Sequence, residues 1–224
     1  MRRFAISDIH GCPKTFQALL DKIAFSTSDT LYLLGDFIDR GPDSKGVIDL
    51  IFQLQQQGYL VHSLRGNHDQ MMLDALKSSD KQRLWLLNGG QNTLDSFQAN
   101  TLSEIPKKYI QFIEELPYFF EVNGYLLSHA GFDFREGQPL QNTVAMMWIR
   151  RWYQDLDRDW LGDRIIVHGH TPLKREIIEG QLRQIDQLPV IAIDNGCVYH
   201  RTDMHQLCAL DLDKRQLIFQ SNME

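Results

Sequence analysis

Seven side chains in this sequence could bind a metal ion, and each stands just beyond a short apolar run. Asp8 and His10 follow Phe4-Ala5-Ile6-Ser7; Asp36 follows Leu31-Tyr32-Leu33-Leu34-Gly35. Asn67 and His68 follow Tyr59 to Leu64 and an Arg-Gly pair, His129 follows Tyr125-Leu126-Leu127-Ser128, and His170 follows Ile165-Ile166-Val167-His168-Gly169. Mixed imidazole, carboxylate and amide donors suit Mn, Fe or Zn better than Ca, which prefers all-oxygen shells. Asp8, His10, Asp36, Asn67, His129 and His170 are more donors than one catalytic ion with an open position needs, so they point to a two-metal site. Asp36, with two oxygens and a negative charge, is the candidate bridge between an Asp8/His10 side and an Asn67/His129/His170 side. A bridging water would complete such a pair, and two cations would bring its pKa towards neutral for in-line attack on phosphorus. Taken singly, Asp8 and Asp36 read equally well as turn or cap residues, and a lone His129 or His170 as a hydrogen-bonded core histidine. Their repeated placement at strand exits favours ligation.

The elements that must position these donors follow from periodicity. The apolar runs read as strands. Between the early ones, Phe16, Leu19, Leu20 and Ile23 give a helical stripe over Pro13–Ala24, with Pro13 suited to a first turn. Val47, Ile48, Ile51 and Leu54 give another over Ser44–Gln57. Strand, helix, strand, helix, strand implies parallel βαβ units, and open α/β sheets bind ligands beyond the carboxyl ends of their strands. Asp8 and His10, two apart, would share one side of an extended backbone and could chelate one ion. Residues 70–116 read as mainly helical, with a helix expected around Ser103–Glu115, and form a candidate cap on one catalytic domain spanning residues 1–224. Beyond Arg164, strands are expected at Glu176–Ile178, Val190–Ile193, Leu207–Leu210 and Leu217–Phe219, as an antiparallel second sheet.

Composition excludes several classes of protein. At 224 residues, and about 150 per domain, one domain is expected. Hydrophobic residues make up 43% and charged residues 23% of the chain, ordinary globular usage. Lys and Arg number 23 against 29 Asp and Glu, a net charge of −6, which lacks the basic excess of a nucleic-acid binder. Cys12, Cys197 and Cys208 are odd in number and widely spaced, so reduced thiols are expected. No apolar run approaches the length of a membrane span, and the first residues lack a signal peptide's apolar core. A cytoplasmic protein without membrane partners is the expectation.

Five ordered motifs carry a family resemblance: Asp8-Ile9-His10-Gly11, Gly35-Asp36-Phe37-Ile38-Asp39-Arg40-Gly41, Arg65-Gly66-Asn67-His68-Asp69, Ser128-His129-Ala130-Gly131 and His168-Gly169-His170-Thr171. Over about residues 4–200 the chain resembles the phosphoprotein phosphatase family of calcineurin-like metallophosphoesterases. With Trp85-Leu86-Leu87-Asn88-Gly89-Gly90 it is most similar to the small prokaryotic and phage branch, exemplified by the bacteriophage lambda phosphatase. The resemblance implies a four-layer α/β/β/α sandwich, with helices flanking a mixed central β-sandwich. It also implies two divalent ions, Mn²⁺ in first place with Fe or Zn as alternatives, and hydrolysis by a metal-bridging hydroxide without a phosphoenzyme intermediate. His68, oriented by Asp39, would be the general acid, and Arg40, Arg150 and Asn67 would hold phosphate, Arg150 being chosen over Arg151 from the Trp148-x-Arg150 pattern.

The expected substrates are phosphoserine and phosphothreonine in proteins or peptides, with phosphotyrosine within scope. Diadenosine tetraphosphate hydrolysis at the same centre is the alternative, although no adenine-stacking pocket is legible in the sequence. An inactive binding module is the non-enzymatic alternative, and no regulatory subunit can be inferred. Ser7 and Asp69 depart from the Gly and Glu of many relatives; neither is an expected ligand, so they bear on packing. His168, inside its strand pattern, reads as packing or support, and Arg65 as structural.

Overall fold

The structure, a computed structural model, describes residues 1–135 and 137–224. Strand β1 (Arg3–Ile6), helix α1 (Pro13–Lys22), β2 (Thr30–Leu33), α2 (Ser44–Gln56) and β3 (Leu60–Ser63) realise the expected alternation. A helical stretch follows: α3 (Asn67–Ala75), α4 (Ser79–Trp85), a π-helical turn at Leu86–Gly90, α5 (Gln91–Ser96) and α6 (Lys107–Glu114). The second half comprises β4 (Phe119–Val122), β5 (Tyr125–Ser128), α7 (Thr143–Trp148), α8 (Arg158–Leu161), β6 (Ile165–His168), α9 (Arg175–Arg183), β7 (Val190–Ala192), β8 (Gln206–Asp211) and β9 (Gln216–Ser221).

The strands make two mixed sheets, ordered β3-β2-β1-β8-β9 and β4-β5-β6-β7. In the first, β1, β2 and β3 are parallel and β8 runs antiparallel to β1. In the second, β5, β6 and β7 are parallel and β4 is antiparallel to β5. Strand alternation sorts side chains into layers. Phe4 and Ile6 of β1 and Leu207 and Ala209 of β8 pack outwards against α1, α2 and the helical stretch. Ala5, Cys208 and Leu210 point the other way and meet Tyr125, Leu127, Ile165 and Val167 between the sheets. Leu126 and Ile166 face outwards from the second sheet onto Phe132, Met146 and Trp152. The α/β/β/α sandwich is therefore the observed fold, and all three cysteines are buried and unpaired in it. No helix among the described residues is long and apolar enough to cross a membrane.

Three expectations about elements need correction. Glu176–Ile178 lies in α9, because Ile178 and Leu182, four apart, bury one stripe against the inter-sheet core while Arg175 and Glu179 pair outside at 2.7 Å. The last strands form no separate antiparallel sheet: the β8–β9 hairpin extends the first sheet through β1, and β7 joins the second in parallel. The helix expected from Ser103 begins at Lys107, since Pro106 holds Ile105 extended (ψ 126°). Residues 70–116 are mainly helical, and Met72, Trp85, Leu94 and Ile113 share one core with α1 and α2.

Candidate metal centre

The loops leaving β1, β2, β3, β5 and β6 bring the expected donors to one place, but through a backbone the sequence does not announce. Asp8, His10, Asp36, Asp39, Arg40 and His170 all have left-handed φ values (53°, 46°, 56°, 70°, 69° and 69°). Asp tolerates this region; His and Arg adopt it at a conformational cost, and such residues cluster at functional sites. Asp8 and His10 are thus not successive same-face residues of an extended strand, which ends at Ile6. Their loop instead lies along the one after β2, with His10 N and Gly11 N donating to the carbonyls of Asp36 and Phe37, both at 2.9 Å.

Two donor groups meet at Asp36: His10, Asp36 and His68 form one, and Asp8, Asp36 and His129 the other. His10 donates Nδ1–H to the Ile38 carbonyl at 2.9 Å, which leaves its Nε2 lone pair 3.5 Å from Asp36 Oδ2. His129 likewise donates Nδ1–H to the Leu34 carbonyl at 2.8 Å, and its Nε2 faces Asp36 Oδ1 at 3.6 Å. Burial holds both imidazoles below their usual range, hence neutral. Nitrogen lone pairs facing carboxylate oxygens repel unless positive charge lies beside them, and at His10 the Arg40 guanidinium supplies part of it, Nη1 lying 2.9 Å from His10 Nε2. Two ligands about 2.1 Å from a tetrahedral ion are separated by roughly 3.4 Å, close to the spacings found. Asn67 Oδ1 extends the second group, 2.9 Å from His129 Nε2 and 2.7 Å from His170 Nδ1. His170 thus joins through Asn67, and its buried Nε2 has no hydrogen-bond partner among the described residues. Asp8 Oδ2 accepts from His170 N at 2.9 Å and from the Ser7 hydroxyl. Nitrogen and oxygen donors around a shared carboxylate fit divalent cations.

Asp36 is fixed from several sides. Its Oδ1 accepts from His68 N at 2.9 Å, at the start of α3, where the helix dipole favours a carboxylate. Its own N–H donates to Asp69 Oδ2 at 2.8 Å, and Phe37 N donates to Asp69 Oδ1 at 3.2 Å. Gly66 allows this approach, since a Cβ there would lie 2.1 Å from Asp36 Oδ1. Burial, reinforced by Asp8 and Asp69, pushes the Asp36 carboxyl well above the usual range, as expected for a group whose counter-charge is a cation.

His68 and Asp39 form the adjoining pair, with Nδ1 to Oδ2 at 2.8 Å. Burial, then the charge of Arg40 and the neighbouring His129, pull the His68 imidazole down to about 2. Burial raises Asp39 to about 7 against its Thr93 and Trp85 donors. Trp85 Nε1 reaches both Asp39 oxygens at 3.0 Å, and Thr93 Oγ1 donates to Oδ1 at 2.7 Å. The Trp85–Gly90 motif also holds Arg40, whose N–H donates to the Gly89 carbonyl at 3.3 Å and whose carbonyl accepts from Asn92 Nδ2 at 2.9 Å. Arg40 Nη1 donates to His10 Nε2 at 2.9 Å, which places its guanidinium at the centre.

Arg150 stands beside the His170 loop, exposed, with Nη1 donating to Thr171 Oγ1 at 3.0 Å. His168 is not among the donors: its Nε2 accepts from Tyr153 Oη at 2.6 Å, and its Nδ1–H faces the Gly169 carbonyl at 2.9 Å. Arg65 is buried in structural contacts, donating to the carbonyls of Ile113 and Glu114. Of two further buried carboxylates, the sequence reading gave Asp69 a packing role only and passed over Asp194. Asp69 organises the Asp36 loop, and Asp194 accepts from Gly196 N at 2.7 Å. Burial and the Asp8 charge push Asp194 well above its usual range. The signal was present: Val190–Ile193 ends in Asp194-Asn195-Gly196, the same strand-exit pattern as the other motifs.

Comparison with known proteins agrees with this geometry. The chain is 31% identical over 205 residues to serine/threonine-protein phosphatase 1 of Salmonella typhimurium, covering 88% of this chain and 87% of that protein. It is 29% identical over 220 residues to the asymmetrical bis(5'-nucleosyl)-tetraphosphatase PrpE of Bacillus velezensis, with 87% and 84% covered. Several further relatives carry tetraphosphatase names. The fold is shared with a protein serine/threonine phosphatase of Saccharomyces cerevisiae, with a TM-score of 0.70, 15% identity, and 100% and 81% of the two chains covered. The sequence profile of the calcineurin-like phosphoesterases matches residues 1–206, a span that takes in every donor described above, and the chain belongs to that family.

Proposed function

We propose that this chain hydrolyses bis(5'-nucleosyl) tetraphosphates such as diadenosine tetraphosphate, cleaving a phosphoanhydride bond. That it is a metal-dependent phosphoesterase follows from the family and from the two donor groups that share Asp36. The substrate rests on one observation: most of the similar curated proteins are named as bis(5'-nucleosyl)-tetraphosphatases. These relatives favour the dinucleotide over the phosphoprotein that the motifs first suggest.

In this reading Asp8, His10, Asp36, Asn67, His129 and His170 hold two divalent cations, with Mn²⁺ as the first choice. When bound, such ions draw charge from phosphoryl oxygens and bring the pKa of a water towards neutrality. Arg40, beside His10, and Arg150, beside the His170 loop, grip phosphate oxygens, their forked guanidinium groups suiting that task better than ammonium, and the Asn67 amide adds a contact. His68 gives its Nε2 proton to the departing oxygen while Asp39 fixes the ring through Nδ1. Burial, then the Arg40 charge, disfavour the imidazolium, and a polyanionic substrate works against both by adding negative charge beside the ring. Trp85 and Thr93 hold Asp39 in turn.

A second reading, phosphoserine and phosphothreonine hydrolysis in the small prokaryotic and phage branch, is favoured by the 31% identity to the Salmonella typhimurium phosphatase. The test compares kcat/KM of the Mn²⁺-loaded protein on diadenosine tetraphosphate and on phosphoseryl and phosphothreonyl peptides. A dinucleotide preference of at least about a hundredfold, or about 2.7 kcal/mol, is expected; the reverse preference gives the chain to the second reading.

A further inference from the structure

We propose that an apolar pocket beside Arg150 is a nucleobase subsite of this centre, an inference that rests on the dinucleotide reading and deepens it. The pocket has a volume of about 190 Å³ and is lined by Ile149, Arg150, Trp152, Tyr153, Ile177 and Gln181. Ala130 and Thr171, the residues directly after His129 and His170, are part of its wall, so the pocket borders the loops that carry those two donors. Sites that enclose a whole drug-sized ligand run to about 300–1,000 Å³. This one has room for a single flat ring system, with the rest of the ligand outside.

The walls are fixed in advance. Trp152 is buried and donates Nε1–H to the Ala130 carbonyl at 3.1 Å. Tyr153 packs edge-on against it, ring centroids 4.9 Å apart, and its hydroxyl is committed to His168 Nε2 at 2.6 Å. A phenol and indole so held lose little freedom when a planar ligand packs against them, which is how preorganised sites gain affinity. Ile177 is 44% exposed, a large aliphatic side chain left in water at the pocket.

Charge selects the ligand class. The chain carries a net charge of −6, yet adjacent arginines, Arg150 and Arg151, line this pocket. Apolar and aromatic walls with two arginines in the lining, next to the candidate dinuclear centre, match a base that trails a phosphate chain. The ring enters the pocket, and the chain runs past Arg150 to the cations. A phosphoseryl peptide brings a single phosphate, which the centre already takes, and leaves pocket and second arginine without a role.

The experiment is calorimetric titration of the Mn²⁺-loaded protein with adenosine 5'-monophosphate and with ribose 5-phosphate, which share the phosphate and sugar and differ in the base. The monophosphate is expected to bind at least about tenfold more tightly, and Ile177→Trp, which fills the pocket, to bring the ratio towards one. Equal dissociation constants in the wild type overturn the subsite even if dinucleotide is hydrolysed. So does tighter binding of a phosphoserine peptide with a neighbouring aromatic residue, which gives the pocket to a peptide side chain. Base-dependent binding without dinucleotide turnover upholds the subsite and overturns the substrate assignment instead.

Discussion

The Trp85 indole N–H lies 3.0 Å from both carboxylate oxygens of Asp39, and Asp39 in turn meets His68 Nδ1 at 2.8 Å. A helical segment 46 residues downstream in the chain thus sets the partner of the candidate acid. Trp85→Phe keeps an aromatic ring in the core and removes only the donor. Hydrogen bonds to charged groups contribute about 1.5–3 kcal/mol, so loss of the donor should raise the Asp39 pKa further and let His68 turn. The expected outcome is a fall in kcat of about tenfold or more, with a displaced pH profile and unchanged metal content by elemental analysis. A pH profile that coincides with the wild type would make Trp85 a packing residue only.

Asp36 is the one side chain common to both donor groups. Asp36→Asn keeps the volume, removes the charge and replaces one oxygen with a donor that no cation accepts. The variant should lose metal affinity by more than about a hundredfold, beyond what supporting residues cause, and metal-dependent turnover with it. Stripping the wild type with chelator should abolish activity, and Mn²⁺ should restore it in the wild type but not in the variant.

Donor positions were legible in the sequence because each closes an apolar run, and strand ends in α/β sheets converge. Asp36 was the candidate bridge for its two oxygens, its negative charge and its place in the chain between the two donor sides. The local backbone was not legible: left-handed φ at His10 and Arg40 accompanies the pairing of the loops after β1 and β2, and at His170 it accompanies the hydrogen bond from His170 N to Asp8 Oδ2. Asp69 read as a packing substitution because its partners, Asp36 N and Phe37 N, lie across that same junction. Glu176–Ile178 was misread because two adjacent isoleucines suit a strand as well as a helix, and only burial of Ile178 on the inter-sheet core decides between them.

His68 lies in a donor group yet reads as an acid, and its replacement separates the two roles. His68→Asn should leave two ions bound and slow turnover by about 10²–10⁴-fold on a phosphoserine peptide, whose alkoxide leaving group needs a proton. On the dinucleotide the loss should be smaller, because a phosphate leaving group is a weak base. Equal losses on both substrates would take the acid role from His68, and loss of an ion would make it a ligand.

Asp29 offers a pH prediction away from the centre. Its buried carboxylate accepts from Arg2 N, Nε and Nη2 at 3.0, 3.1 and 2.6 Å, and from Ser26. The Arg2 guanidinium holds it far below the usual carboxylate range. A depressed folded-state pKa contributes stability that is present above the unfolded value of about 3.9 and is lost as pH falls towards the folded one. Asp29→Asn should therefore destabilise by about 1.5–3 kcal/mol at pH 7. Denaturant titrations should show the gap to the wild type narrowing below about pH 4, where Asp29 takes up a proton in the unfolded chain but keeps its charge in the folded one. A gap constant from pH 7 to pH 3 would mean that the pair contributes through shape alone.

Arg40 is held by Gly89, whose carbonyl accepts the Arg40 N–H at 3.3 Å. Gly89 has φ 106°, and a Cβ there would lie 2.9 Å from both Cγ and N of Arg40. Two substitutions test the same guanidinium by independent routes. Arg40→Lys keeps the charge and loses the planar fork, so kcat/KM should fall by about 10–100-fold with two ions still bound. Gly89→Ala leaves Arg40 in the sequence but pushes its backbone from the π-helical turn, and should lower kcat/KM in the same direction. In the double variant the guanidinium is already gone, so the glycine change should add less than its separate effect. Full additivity would mean that Gly89 acts on the fold and not through Arg40.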